Sequence, residues 1–278
     1  MEFTLLGPVE SRLDHATTIA LPGTKMSTVL AALLLAEGGV VPDEKIADLL
    51  WRWWPPDTRT AQIYTHISRL RKVFGKRIEI VRHPHGYALP QGDWTVDLLR
   101  FRQLNDRGLA ALENERHAEA VSQFRAALSL WRGEALSNTT TFMRELEAPR
   151  LAEYRVATTE NYAEAALALG DHRQLVPELL DLVARFPMYE RLRAQLMTAL
   201  HRSGRPGDAV QVYQEGQRIL AEELGVDPGL LLGRTYRALL NGELDSDVVV
   251  LPDFLRARPK RRAVGREAGR AAESADVR

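Results

Sequence analysis

A chain of 278 residues, 45% hydrophobic and 27% charged, has the make-up of a globular protein with room for two cores. Its 37 Lys and Arg balance its 37 Asp and Glu, so net charge gives no support for a polyanionic partner, and any such case rests on where the cations sit. The absence of cysteine excludes disulfides, thiol nucleophiles and cysteine-held metals, while the lack of a basic-then-apolar leader and of any apolar run near ~18 residues sets the expectation of a cytoplasmic protein with no membrane partner.

In chain order, "MEFTLLG" and "SRLDHATTIALPG" read as short strands around Gly-Pro turns. "TKMSTVLAALLLAEGG" follows as a Leu/Ala-dense helix with a Thr start and a Gly-Gly stop. "DEKIADLLW" predicts a second helix, with Asp43 as its N-cap and acids in the first turn. "WRWWPPD" is a loop, and "TRTAQIYTHISRLRKVFG" a third helix ending at Gly75. "RIEIVRHPHGYALP" gives two extended runs around a Pro/Gly turn. Strands, three helices and a hairpin form the plan of a winged helix-turn-helix, here an α+β unit over residues 1–93.

The charges are unevenly placed. Residues 59–82 hold seven cations against Glu79 alone, net +6, whereas residues 1–58 carry net −4 and residues 94–255 net −6. With Ile63 as reference on a helical projection, Ile67, Leu70 and Phe74 fall within about 40° of it and form one buried stripe. Thr65 and Lys72 lie opposite, flanked by Ala61 and Ser68 on one side and by Arg69 and Gln62 on the other. A solvated helix more often alternates Glu with Lys. This one has no acid between Asp57 and Glu79, which suggests an anionic partner; the helix alone fits a solvated basic face equally, and the helices before it and the hairpin after it favour DNA.

Arg and Gln can fork onto purine edges, and Ser and Thr can bond bases or phosphates. Gln62, Thr65, Ser68 and Arg69 are therefore expected toward base edges of double-stranded DNA, with Arg59, Arg71 and Lys72 toward its backbone. Arg82, His83 and His85 surround the turn tip at Pro84, where a wing meets a minor groove or phosphates. The two histidines could equally be neutral surface residues; a zinc site lacks a third ligand nearby.

From Asp97 onward the sequence reads as helices only. "ENERHAEAVSQFRAALSLW", "LGDHRQLVPELLDLVARFP" and "SGRPGDAVQVYQEGQRIL" share a pattern, and equating Gly170 with Gly204 sets an offset of 34 residues. Leu175 and Ala209 then correspond, as do Leu179 and Tyr213, with Ala120, Phe124 and Ala127 fitting the first copy. That period is the tetratricopeptide one, so residues 94–242 are expected to form an all-α tetratricopeptide-like domain, interrupted at 132–150. Residues 243–278 hold a basic run, net +5 over 256–278, without apolar periodicity, and are expected to be a disordered tail.

The phrases "THISRLRKVFG", "HGYAL", "VDLLRFRQL", "ALSLWRGEAL", "LVPELLDLVARFPMYERLRAQLMTALHRSGRPGDAVQVYQ" and "LAEELGVDPG" resemble the Streptomyces antibiotic regulatory protein (SARP) family, in its order, over about residues 1–242. The third helix alone also looks like OmpR-type response regulators. The resemblance implies an OmpR-like DNA-binding domain joined to a bacterial transcriptional activation domain. It further implies an activator that binds direct repeats near promoters as dimers or paired protomers. Such a protein recruits RNA polymerase holoenzyme and switches on secondary-metabolite gene clusters. By position it makes Thr65, Ser68, Arg69 and Lys72 DNA-contact candidates. It also makes the loop "WRWWPPDTR", with Trp53, Trp54 and Asp57, a polymerase-contact candidate, although the two tryptophans could instead pack on the first core. His on both sides of Pro84 departs from the family's pattern, and "SNTTTFMRELEA" matches it loosely.

No Gly-x-Ser-x-Gly, His-Glu-x-x-His, phosphate-binding or dinucleotide fingerprint is present, so neither an enzyme nor a cofactor is expected. The chain reads as a short member without an ATPase segment. A protein-binding tetratricopeptide adaptor and a repressor built on the same DNA-binding unit remain the rival readings.

Overall fold

The computed structural model describes residues 1–13, 17–19 and 21–244. The N-terminal part is built on a four-stranded sheet of order β3-β2-β1-β7, with β1 at Glu2–Thr4, β2 at Glu10–Arg12, β3 at Thr18–Ile19 and β7 at Thr95–Val96. β1 runs antiparallel to β2 and parallel to β7. Three helices follow the first strands: α1, Thr24–Leu35; α2, Asp43–Trp51; and α3, Arg59–Phe74. A second, antiparallel sheet has the order β4-β6-β5, with β4 at Val41–Pro42, β5 at Val81–His83 and β6 at Gly86–Ala88. His83 pairs with Gly86 across the Pro84–His85 turn, which makes the wing a tight hairpin. The two-residue strands β3, β4 and β7 are too short to show alternation of their own and exist only through their partners.

α1 is buried from Met26 to Leu34, so it forms the centre of the unit. The stripe expected on α3 is present: Ile63, Ile67, Leu70 and Phe74 are all buried. Phe3 locks the first sheet onto it, meeting Phe74 edge-on at 5.5 Å and Trp94 at 5.6 Å.

The two helix starts differ from expectation. α1 is preceded by Gly23 in a positive-φ conformation (φ 82), and no side chain caps it, so Thr24 lies inside the helix. α2 begins after Pro42, and Asp43 caps nothing. Its backbone N–H instead donates to His85 O at 2.9 Å, and its carboxylate takes Arg82 at 2.7 Å. The wing thus supplies an acceptor for one of the N–H groups that the start of the helix leaves unpaired.

Gly86 is the tightest point of this junction. A Cβ there would lie 2.2 Å from Val41 O, a backbone atom of the neighbouring strand. Gly86→Ala is expected to lower stability by about 2 kcal/mol by forcing β4 off β6, measurable as a shift of the urea midpoint with unchanged slope.

The remainder is helical: α4, Asp97–Glu113; α5, His117–Leu128; α6, Thr141–Ala168; α7, His172–Arg185; α8, Glu190–Arg202; α9, Pro206–Leu224; and α10, Leu230–Leu240. The equivalence of Gly170 and Gly204 holds in three dimensions. Both have positive φ (84 and 78), and the residue after each donates its N–H five residues back, Asp171 to Ala166 O and Arg205 to Leu200 O. Glu115 (φ 56) and Gly242 (φ 70) repeat the turn, with Arg116 N–H on Ala111 O and Glu243 N–H on Ala238 O. Each is a Schellman ending, and α5, α7 and α9 all start two residues after it. Leu175, Leu179, Ala209, Ala120, Phe124 and Ala127 are buried as the repeat requires, and Tyr213 stacks on Tyr236 at 3.8 Å. The interrupted stretch, 132–150, is a loop running into the start of α6, a 28-residue helix with Pro149 inside it and Thr140 accepting from Met143 N–H at its start. The fold is a winged helix-turn-helix followed by a tetratricopeptide-like helical array.

A polar clasp joins the two parts. Asp97, only 2% exposed at the start of α4, accepts from the backbone N–H groups of Leu5 at 2.8 Å and Leu6 at 3.1 Å, and from Arg132 at 3.1 Å. Arg132 N–H donates to Leu6 O, and Leu136 N–H to Gly7 O. Asn138 pairs its amide with both backbone groups of Val9, at 2.7 and 3.0 Å. Thr140 donates to Leu49 O at 2.6 Å. The "SNTT" stretch of loose family match is therefore a strap across the junction. Phe101, Leu136, Met143 and Leu151, from the helical array, belong to the same buried core as the winged helix. The tail expected to be disordered, apart from Glu243 and Leu244, lies outside the described residues.

Candidate nucleic-acid interface

α3 presents the face opposite its buried stripe. Thr65, Ser68, Arg69 and Lys72 are all exposed there, as is Arg59 at its first residue. Among the described residues, no hydrogen bond or ion pair occupies the side chains of Ser68, Arg69 or Lys72, so their donors face solvent. Thr65 donates to Ala61 O at 2.8 Å, which fixes its hydroxyl as an outward acceptor. Gln62 is half-buried and donates to Thr58 Oγ1 at 3.0 Å, so its carbonyl stays free while its amide is tethered.

Two of the cations expected on DNA have partners inside the fold. Arg71 forks onto Ile80 O with Nε at 3.2 Å and Nη2 at 2.5 Å, tying the end of α3 to the chain that enters the wing. Arg82 bonds Asp43, lies 4.6 Å over the Tyr87 ring, and is held further above its ordinary pKa by that carboxylate. Both guanidiniums shape the wing. The cations left outward between α3 and β5 are Lys76 and Arg77, both exposed. At the turn, His85 is exposed and His83 half-buried.

His66, beside Arg69, has its pKa lowered by burial, then by the nearby charges of Arg69 and Lys25. It therefore stays neutral at physiological pH and does not thicken the positive field. Sequence reasoning missed Tyr64, which is 61% exposed in the middle of α3, on the flank between Ser68 and Arg71. An aromatic on a helical projection reads as core; among the described residues no element covers that flank, and the ring stands bare.

The tryptophans of the α2–α3 loop are exposed, Trp53 at 76% and Trp54 at 87%, which decides against their packing on the first core. Asp57, in the same loop, is exposed as well. No helix among the described residues is long and apolar enough to cross a membrane.

Comparison with known families matches residues 17–89, from before α1 to just past the wing, to the transcriptional regulatory protein C-terminal domain. Residues 96–240 match the bacterial transcriptional activator domain. The regulatory protein DnrI of Streptomyces peucetius is 34% identical over 254 residues, covering 87% of this chain and 93% of DnrI. The chain belongs to the Streptomyces antibiotic regulatory protein family of transcriptional activators. The regulatory protein AfsR of Streptomyces griseus is 35% identical over 244 residues, and there the SARP-like part spans only 25% of the longer relative. Among solved structures, Mycobacterium tuberculosis EmbR in complex with a low-affinity phosphopeptide superposes with a TM-score of 0.80 at 32% identity. That match covers 87% of this chain and 65% of EmbR. Within the SARP family frame, the two matched domains meet at the clasp around Asp97, one residue into the second match.

Proposed function

We propose that this SARP-family protein lays α3 in the major groove of promoter DNA and reads direct repeats as paired copies or a homodimer. Ser68, Arg69 and Thr65, with the carbonyl of Gln62, meet base edges. Arg59, Lys72, Lys76 and Arg77 meet phosphates, and His83 and His85 meet the flanking backbone from the wing. Arg71 and Arg82 hold the wing in place for that contact. RNA polymerase holoenzyme is recruited through the exposed α2–α3 loop with Trp53, Trp54 and Asp57. The regulated genes form a secondary-metabolite cluster, and the protein works in the cytoplasm at the nucleoid.

The observation that carries this reading is the face of α3. Three outward polar side chains, two of them cations, have no partner among the described residues, and they stand on a helix whose opposite face is fixed to a core. Unpartnered like charges repel, and a polyanion removes that cost.

The test is capture of fragmented genomic DNA by the full chain at about physiological salt, alongside an Arg69→Ala control. A small set of promoters sharing spaced direct repeats, lost with the control, is the expected result. Recovery of nothing, or of random fragments unaffected by the substitution, would move the function to a protein-binding adaptor.

A further inference from the structure

α2 ends at Trp51, and the chain leaves it through Arg52, whose backbone sits at φ 56 and ψ −109. Residues with a Cβ rarely adopt that conformation, while glycine takes it freely. The Arg52 side chain crosses to the array: its guanidinium meets Glu145 at 3.1 Å and lies 5.0 Å over the Phe142 ring, both on the first turns of α6. It also stands 5.9 Å from the Trp53 ring, its own neighbour. A second tie lies close by, where Thr140 at the start of α6 donates to Leu49 O at 2.6 Å.

The last turn of α2 is thus fixed on the first turn of α6 from two directions. Immediately beyond it, Trp53 and Trp54 are bare. An exposed ion pair such as Arg52–Glu145 contributes little stability in isolation. Its consequence here is directional, because a strained turn and a stacked guanidinium together set where the loop departs. A loop anchored at its root and exposed at its tip has the form of a presented docking element.

We infer that Arg52 is a positioning residue. By clamping the α2–α3 loop to α6, it sets the pose in which Trp53 and Trp54 meet polymerase, so the loop and the helical array act as one docking unit. The inference rests on the loop–polymerase contact proposed above, and it adds that the winged helix alone does not carry a correctly shaped loop.

The full chain tests this in transcription with purified polymerase holoenzyme from a promoter recovered by DNA capture, with DNA affinity and thermal midpoint measured in parallel. Arg52→Gly relieves the backbone strain and removes the clamp. It is expected to keep DNA affinity within about twofold and hold or raise the thermal midpoint, while transcription falls at least about fivefold. Arg52→Glu combined with Glu145→Arg restores the pair with reversed sign and is expected to recover transcription relative to Glu145→Arg alone. A merely structural role would instead move midpoint and activity together. Native-level transcription by Arg52→Gly would overturn the inference, as would a loss of DNA affinity in step with transcription. The double variant Trp53→Ala/Trp54→Ala separates the two readings. If it stays active, the loop contact itself fails and the inference falls with it. If it is inactive while Arg52→Gly stays active, the loop contact stands and only the clamp is overturned.

Discussion

Arg69→Ala is expected to weaken binding to a cognate promoter site by about 1–3 kcal/mol, roughly 5- to 150-fold, and to relax base preference at one position. Lys72→Ala is expected to act differently, weakening specific and random DNA alike and lowering the salt slope by about one. The reason lies in where the two cations stand. Arg69 lies mid-helix beside Thr65 and Gln62, where a planar guanidinium can fork onto a guanine edge. Lys72 lies in the last turn of α3, near Lys76 and Arg77, where a single ammonium meets the phosphate ridge. Both are exposed, and no internal partner competes with DNA for either among the described residues. Arg71, one residue before Lys72, makes the contrast sharper. Its guanidinium is occupied by Ile80 O, so Arg71→Ala should lower stability and loosen the wing before it removes any DNA contact. Titrations of each variant against a cognate and a scrambled duplex at two or more salt concentrations decide the matter. Equal losses for Arg69→Ala and Lys72→Ala on both duplexes would dissolve the division between base reading and backbone contact.

The face of α3 was legible because a helix repeats its environment every turn, and Ile63, Ile67, Leu70 and Phe74 report the core without any tertiary information. The 34-residue offset was legible for the same reason, since the turns at Gly170 and Gly204 leave glycine in the one conformation that favours it. Glu115 takes the same conformation without being glycine, so that copy had to be found from its buried residues instead. What the sequence could not display are pairings between distant residues. Nothing near Arg82 indicates that its partner is Asp43, 39 residues away, or that this carboxylate is therefore unavailable as a helix cap. The strap at Asn138 and Thr140 looked like a break because its hydrogen bonds go to Val9 and Leu49, and Pro149 hides the length of α6. The exposure of Trp53 and Trp54 is likewise a tertiary fact. Composition alone favours their burial, and only the folded chain shows both side chains left outside the core.

Asp97→Ala is expected to cost about 3–5 kcal/mol of folding stability at neutral pH, because it strands the N–H groups of Leu5 and Leu6 in the core and leaves Arg132 without its carboxylate. Since those groups belong to both parts of the chain, the loss should appear as a shift of the whole unfolding transition rather than as a separate early phase. The carboxyl carries a pH signature too. Burial pushes its pKa up to about 6, outweighing the backbone N–H groups and Arg132, which pull it down. The folded state therefore holds a proton between about pH 4 and 6 that the unfolded chain has already released. It follows that the contribution of this group is fully present below about pH 4, declines as pH rises through 6 and is level above it. Asp97→Asn, which cannot titrate, should show a stability deficit against the native chain that is largest near pH 4 and narrows toward pH 7. Chemical unfolding of both proteins across that range measures the gap directly. A gap that widened with pH would mean that the ion pair with Arg132, rather than burial, dominates the site. The clasp would then be a charged lock between the DNA-reading and helical parts, at its strongest at neutral pH.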